Sequence, residues 1–154
     1  MSEEFYMNVT FELPDAARIE QLERLIEHLD LAEVDKARSL LPSHSLDSAQ
    51  EMIESITIEN SDYSNGFDLV QMYMDTYNES VDDMVVNMDK SSLKGEIAVE
   101  GYDHESVDFC SALVLMLFAI GATGICAKAG SAMWRASWTQ SVGGDFKVGF
   151  EAAE

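Results

Sequence analysis

Residues 107–127 read VDFCSALVLMLFAIGATGICA, and this apolar stretch decides how the rest of the chain folds. No charged side chain occurs from Phe109 to Ala127. A helix this apolar is surrounded either by protein or by lipid, and its length alone would allow either. Its flanks lack the cluster of Lys and Arg that orients membrane spans, and two alternating strand patterns follow it. We therefore expect a buried core helix that ends near Gly121–Gly124, followed by a turn or a second short helix over 125–131.

The remaining apolar residues recur at two different spacings, which predict strands and helices. Alternation predicts strands at 5–13, 55–59, 93–102, 133–142 and 146–150. Spacings of three and four residues predict helices at 15–29, 31–41 and 80–89. Asp15, Asp30 and Ser80 are placed to cap these three helices.

Two segments keep more than one interpretation. Asn65-Gly66 is a strong hairpin signal, so the residues from Phe67 onward are expected to return as a partner strand. However, 67–77 is apolar at both helical and strand spacings, and its type stays open. The helix predicted at 80–89 contains the run MVVNM, which a strand could also accommodate.

These elements run in the order β-α-β-β, a connecting helix, then β-α-β-β again. The order predicts one α+β domain over residues 1–154, with a mostly antiparallel sheet, helices on one face and the strongly apolar helix at the centre. It is similar to the order of ferredoxin-like folds. That resemblance implies a fold and carries no function, because such folds host many unrelated activities.

Charge is the most unusual property of the composition. Nine Lys and Arg stand against 29 Asp and Glu, which gives a net charge of −20 and a pI near 4.2. The net charge is −11 over residues 1–66, −7 over 67–103 and −2 over 104–154. Such a chain repels nucleic acid and anionic membranes and is attracted to basic surfaces. The charge also exceeds the magnitude of ~2–8 that solubility requires in a small domain.

The two cysteines, Cys110 and Cys126, both lie in the apolar stretch. They form no C-x-x-C pair, and no secretory signal precedes Glu3 and Glu4. We expect free, buried thiols in a reducing cytoplasm.

One polar cluster is a candidate metal site: Glu100, Asp103, His104, Glu105 and Asp108. Histidine with several carboxylates can hold a divalent cation. The simpler interpretation is a helix N-terminus, capped by Asp103 and favoured by the nearby negative charges. A calcium loop at 60–68 fails on register, and the glycines at 124–131 lack the spacing of a phosphate loop. We therefore predict no catalytic residue, metal or cofactor.

The leading functional hypothesis is an acidic, single-domain inhibitor that blocks a basic and nucleic-acid-acting partner protein. In composition, though in no motif, the chain resembles immunity proteins to nuclease toxins and phage proteins that block host defence. Its carboxylates would mimic phosphates or match a basic cleft, so the partner is a nuclease, a toxin or a host-defence protein, and the chain itself contacts neither nucleic acid nor membrane. The candidate partner-binding residues lie on the first helices and the connecting helix: Glu20, Glu23, Glu27, Asp30, Glu33, Asp35, Asp82, Asp83 and Asp89.

Two other classes of function remain open at this point. One is a non-catalytic α+β module that binds a small molecule or a peptide on its sheet face. The other is a metal-dependent enzyme at the cluster between Glu100 and Asp108.

Overall fold

The alternating segment at the N-terminus forms β1, Glu4–Glu12, in which Phe5, Met7, Val9 and Phe11 are buried and the intervening side chains are exposed. The structure, a computed structural model, describes residues 4–41, 69–102, 104 and 106–152. β1 lies inside the sheet, with neighbouring strands on both sides of it. Its odd-numbered residues define the buried face of the sheet, and its even-numbered residues define the opposite face, here called the open face.

The described residues form an α+β fold with one antiparallel sheet of six strands and four helices. In chain order after β1, the elements are α1 Ala16–Asp30, α2 Val34–Ser39, α3 Leu69–Ser80, β2 Val81–Asp89, β3 Lys94–Tyr102, α4 Ser106–Ala119, β4 Thr123–Ser131, β5 Trp134–Gln140 and β6 Phe146–Ala152. The strand order is β2-β3-β1-β4-β5-β6, and every neighbouring pair is antiparallel.

The first predicted helix is confirmed as α1. Asp15 caps it by accepting a hydrogen bond from the Arg18 backbone N–H at 2.9 Å, as its position in the sequence predicts. Its apolar stripe, Ile19, Leu22, Leu25 and Leu29, is buried in the same core as the strands. The second predicted helix is shorter than expected and begins at Val34, so Asp30 does not cap it but ends α1.

Helix α4 is covered by protein around almost its whole circumference, whereas an amphipathic helix buries only one side. Every residue is buried except Val107 and Phe118, which are half-buried. The helix ends at Ala119, and Gly121 then adopts φ +94°, a left-handed conformation that favours glycine at helix ends. No helix among the residues that the structure describes is long and apolar enough to cross a membrane.

The type of 67–77, which the spacing of its apolar residues leaves open, is helical from Leu69 onward. Leu69, Met72, Tyr73 and Thr76 line one buried face of α3, so the partner strand expected after the Asn65-Gly66 turn is not formed by 69–80. Two other predicted segments, 81–89 and 125–131, are wrong in type. Residues 81–89 form a strand, not a helix. There Met84, Val86 and Met88 lie opposite Val99, Ile97 and Gly95 of β3.

Residues 125–131 are part of β4, where a turn or short helix is expected from the sequence. The small residues of TGICAKAGS hide an alternation in which Ile125, Ala127 and Ala129 are buried. Because β4 pairs with β1 along most of its length, the pairing decides the conformation of a segment with weak local preference. The predicted pair of β-α-β-β halves joined by a connecting helix is therefore not what the described residues form.

The last hairpin agrees with the sequence pattern. β5 and β6 correspond to the predicted strands at 133–142 and 146–150 and have nearly the same bounds. β3 corresponds in the same way to the strand predicted at 93–102. Trp134 and Trp138 both face the core, at 6% and 0% exposure. The predicted strand at 55–59 and the Asn65-Gly66 turn lie outside the described residues.

Candidate interaction surfaces

Four of the predicted partner-binding carboxylates share the outer side of α1. Glu20, Glu23, Glu27 and Asp30 recur at three- and four-residue spacing, all are exposed, and together they are called here the acidic helix face. No ion pair to these four side chains occurs within the described ranges, and Arg24, which is spaced to pair with Glu20, leaves that carboxylate unneutralised. The acidic helix face therefore presents uncompensated negative charge to solvent.

Glu33 and Asp35 differ from that group because both are engaged. Glu33 receives a hydrogen bond from the Lys36 ammonium at 2.6 Å and contacts the His28 ring at 3.1 Å. The Lys36 bond, followed by the His28 contact, holds the pKa of the Glu33 carboxyl below its usual value. Asp35 pairs with Arg38 at 3.3 Å. These exposed pairs neutralise part of the charge near α2.

Asp82, Asp83 and Asp89 lie on β2, an edge strand, and not on a connecting helix. Asp83 lies opposite Glu100 on the open face, and Asp82 falls where the register between β2 and β3 shifts. Asp89 has a structural role at the turn into β3. Its carboxylate accepts hydrogen bonds from the Ser91 hydroxyl and the Ser91 and Ser92 backbone N–H groups, which lower its pKa.

Tyr77 on α3 is affected by one carboxylate of α1 and one of β2. The pKa of its hydroxyl is raised first by burial and then by the negative charges of Asp30 and Asp83. Asp30 ends α1 and Asp83 lies near the start of β2, so both carboxylates act on the same tyrosine. One carboxylate of each group therefore lies within electrostatic range of Tyr77.

The candidate metal cluster does not assemble in the described residues. Glu100 is exposed on the open face, whereas Asp108 is buried at 6% exposure in the first turn of α4. His104 contacts Glu79 at 3.5 Å, and its backbone carbonyl accepts a hydrogen bond from the Ser80 hydroxyl. Asp103 and Glu105 lie outside the described residues. Within the described ranges, no group of three or more His, Cys, Asp or Glu side chains could hold a metal ion.

The open face is a feature that the sequence analysis did not resolve. On β2, β3 and β1, here called the acidic half, its charged side chains are Glu4, Glu12, Asp83, Asp89, Lys94, Glu96 and Glu100. On β4, β5 and β6, here called the basic half, they are Lys128, Arg135, Lys147 and Glu151. The alternation of charge and apolar residues could have indicated this face, but only once 81–89 and 123–131 are known to be strands.

Two shallow depressions mark the open face. One, of about 570 Å³, lies in the basic half beside Tyr6 and is lined by Lys128, Arg135 and Ser137. The other, of about 580 Å³, lies at the far end near Thr10. Both are wide and open to solvent rather than enclosed.

Comparison of the chain with protein-family models, with curated proteins and with solved structures found no match.

Proposed function

We propose that this protein is an acidic inhibitor that binds and blocks a basic, nucleic-acid-acting protein, in the manner of an immunity protein or a phage anti-defence protein. The single observation that carries the proposal is the acidic helix face, whose carboxylates are exposed and have no ion-pair partner in the described part of the chain. A basic cleft would gain by covering these charges, since their mutual repulsion is not relieved within the described protein.

The carboxylates of α1 lie together on one side of the helix and are not scattered over the molecule. The acidic helix face is one side of a helix whose other side is anchored by Ile19, Leu22 and Leu25 in the core. Rigid presentation matters, because carboxylates held in fixed positions lose less side-chain entropy when a partner binds. Asp83 is a separate candidate contact, on the open face at the β2 edge. Glu33, Asp35 and Asp89 are less available to a partner, because their oxygens already accept hydrogen bonds.

We further propose that the inhibitor is built on a ferredoxin-like unit. The four neighbouring strands β2-β3-β1-β4, together with the helices between β1 and β2 and between β3 and β4, have the arrangement of a split β-α-β unit. The β5–β6 hairpin extends that unit at the β4 side. Neither Cys110 nor Cys126 forms a disulfide bond among the described residues, which suits the cytoplasm that this proposal assigns to the protein.

The test is a charge reversal on the acidic helix face. The partner is first captured from the native host and identified by mass spectrometry, and its affinity is then measured for the wild type and for Glu23→Lys with Glu27→Lys. We expect the double reversal to weaken binding at least tenfold, and wild-type binding to fall steeply as salt is raised. Both residues are exposed, so circular dichroism should show an unchanged fold.

The matched control is Glu12→Lys, an exposed charge reversal on the open face that should leave partner affinity unchanged. Purified partner activity on nucleic acid provides an independent measurement, since the wild type should inhibit it and the double reversal should not. An affinity that is insensitive both to salt and to the double reversal would contradict the proposal.

The open depression beside Tyr6 favours a second candidate, a non-catalytic module that binds a small molecule or peptide on its sheet face. Its volume of about 570 Å³ lies within the usual range of ligand sites, and Lys128 and Arg135 could orient an anionic group. Arg135→Ala would then abolish ligand binding, whereas the charge reversals on α1 would not.

A further inference from the structure

The open face of the sheet is not covered by any described helix. Most of its negative charges lie on one half of the face and most of its positive charges on the other half. The acidic half carries six carboxylates with Lys94, and the basic half carries three cations with Glu151. Lys128, Arg135 and Lys147 form no ion pair in the part of the chain that the structure describes. In a protein with a net charge of −20, this is a local basic surface beside an acidic one.

Three rows of side chains cross the six strands of the open face. In order from β2 to β6, the first row is Asp83, Glu100, Tyr6, Gly130, Arg135 and Glu151. The second row is Val85, Ala98, Asn8, Lys128, Ser137 and Gly149. The third row is Asn87, Glu96, Thr10, Cys126, Thr139 and Lys147.

A two-fold axis parallel to the strands, midway between β1 and β4, would place each row of one copy over the same row of a second copy. The symmetry fixes this register, because such an axis reverses the strand order without moving a residue along the strand. Glu100 of each copy then lies opposite Arg135 of the other. Lys147 lies opposite Asn87, with Glu96 on the adjacent strand. Asp83 lies opposite Glu151 on the outermost strands, and this like-charge contact opposes the arrangement. Apart from that contact, the acidic half of each copy covers the basic half of the other.

The apolar side chains of the open face fit the same arrangement. Val85, at 46% exposure, would lie opposite Gly149, which has no side chain to oppose it, and Tyr6, at 52% exposure, would lie opposite Gly130. Tyr6 already leans over Gly130 of its own chain, since a Cβ there would lie 3.1 Å from the Tyr6 hydroxyl. Its ring is therefore close to the proposed axis, where the two Tyr6 rings would meet.

The size of the face is sufficient for a stable dimer. Six strands spaced ~4.8 Å apart, each about seven residues long at ~3.3 Å per residue, give roughly 700 Å² per copy. Stable interfaces bury roughly 600–1,000 Å² on each partner, so the face falls within this range. Repulsion between two chains of −20 is screened at physiological salt, where charges farther apart than about 8 Å interact weakly.

We propose that the open face is the interface of a symmetric homodimer, in which Glu100 of each copy binds Arg135 of the other across stacked sheets. The occupant is a second copy of this chain, because the complement of each half of the face is the other half of the same face. The dimer leaves the acidic helix face uncovered, so the proposed inhibitor can still act through that face, but it covers Asp83 and the depression beside Tyr6.

The test is a charge swap, read by sedimentation equilibrium over a range of protein concentrations in 150 mM salt. Arg135→Glu alone and Glu100→Arg alone each create two like-charge contacts per dimer, and each should weaken dimerisation roughly tenfold or more. The double variant with both changes restores the opposite charges and should restore the dimer. The matched control, Glu23→Lys on α1, should leave dimerisation unchanged.

A second measurement does not depend on charge variants. Photo-oxidative tyrosine cross-linking of the wild type should give a covalent dimer, which Tyr6→Phe should remove and Tyr102→Phe should not. A wild type that is monomeric at all concentrations overturns the proposal, as does a dimer that persists in both single variants. A monomer in which Glu100→Arg abolishes binding of the basic partner also overturns it and assigns the open face to that partner.

Discussion

Tyr73 shows at the scale of one residue how burial controls chemistry in this protein. Its side chain is 2% exposed, its ring lies 5.8 Å from that of Tyr77 and 5.2 Å from that of Phe109, and its hydroxyl contacts the Met84 sulfur at 3.6 Å. A phenolate in this environment would have lost its solvation. Burial therefore raises the pKa of Tyr73 well above its ordinary value of ~10.

We predict that Tyr73 limits stability at alkaline pH. Because the pKa of Tyr73 is raised in the folded state, the contribution of its neutral hydroxyl to the free energy of unfolding is complete below pH ~10. This contribution is lost as the pH rises, since the unfolded chain releases a proton that the folded chain keeps. At pH 11 this amounts to about 1 kcal/mol. In urea unfolding at pH 8 and pH 11, Tyr73→Phe should lose less stability between the two pH values than the wild type. Equal losses in the two proteins would contradict this account.

At the scale of elements, the junction between α3 and β2 explains why this part of the chain is hard to read from its sequence. The helix ends at Ser80 and the strand begins at Val81, with no loop between them. The junction is held by the Ser80 hydroxyl, which donates to the His104 backbone carbonyl, and by Gly101 of β3, which lies opposite Val81. A side chain at Gly101 would overlap the Ser80 carbonyl oxygen and approach the Phe5 ring to 2.9 Å.

Gly101→Ala should therefore destabilise the protein by about 1–3 kcal/mol or more, because backbone atoms cannot move away as a flexible side chain would. Gly143→Ala is the matched control. It lies in the turn before β6, where the added methyl group would meet its nearest neighbour, the Ser141 hydroxyl, at 3.8 Å, and it should cost little. Chemical denaturation measures both, and similar losses for the two variants would show that the Gly101 contact is not limiting.

For the whole molecule, net charge is the dominant property. At −20, with the negative charge concentrated before residue 104, folding brings many carboxylates together on α1 and along the β2 edge. Among the described residues, the ion pairs of Lys and Arg that relieve this repulsion are few, namely Lys36–Glu33 and Arg38–Asp35. The compact state is thus opposed by its own charge.

We predict that added salt stabilises the folded chain. Raising sodium chloride from 0.01 M to 0.15 M shortens the screening length from about 30 Å to about 8 Å and weakens repulsion between carboxylates. The melting temperature should rise by several degrees, since each 1 kcal/mol is worth about 2–4 °C in a chain of this size. Potassium chloride should act equally, because the effect is screening. A melting temperature that is constant or falls with salt would mean that repulsion is not significant.

Much of the fold follows from local sequence patterns that are compatible with only one type of secondary structure. The alternation of β1, the stripe and Asp15 cap of α1, and the β5–β6 hairpin were each predictable because tertiary contacts agree with local preference there. The acidic residues of α1 were predictable for the same reason, since the apolar stripe of a helix fixes which side faces solvent.

By itself the sequence determined an α+β protein of strong negative charge, with Phe109–Ala119 as an apolar helical segment and carboxylates on the outer side of α1. Only the tertiary structure decided that 81–89 and 123–131 are strands, because pairing with β3 and β1 overrides their weak or ambiguous preferences. The tertiary structure alone also decided which side chains lie together on the open face. Glu100 and Arg135 are distant in the chain and share a row only through the register of four strands, which no local pattern specifies.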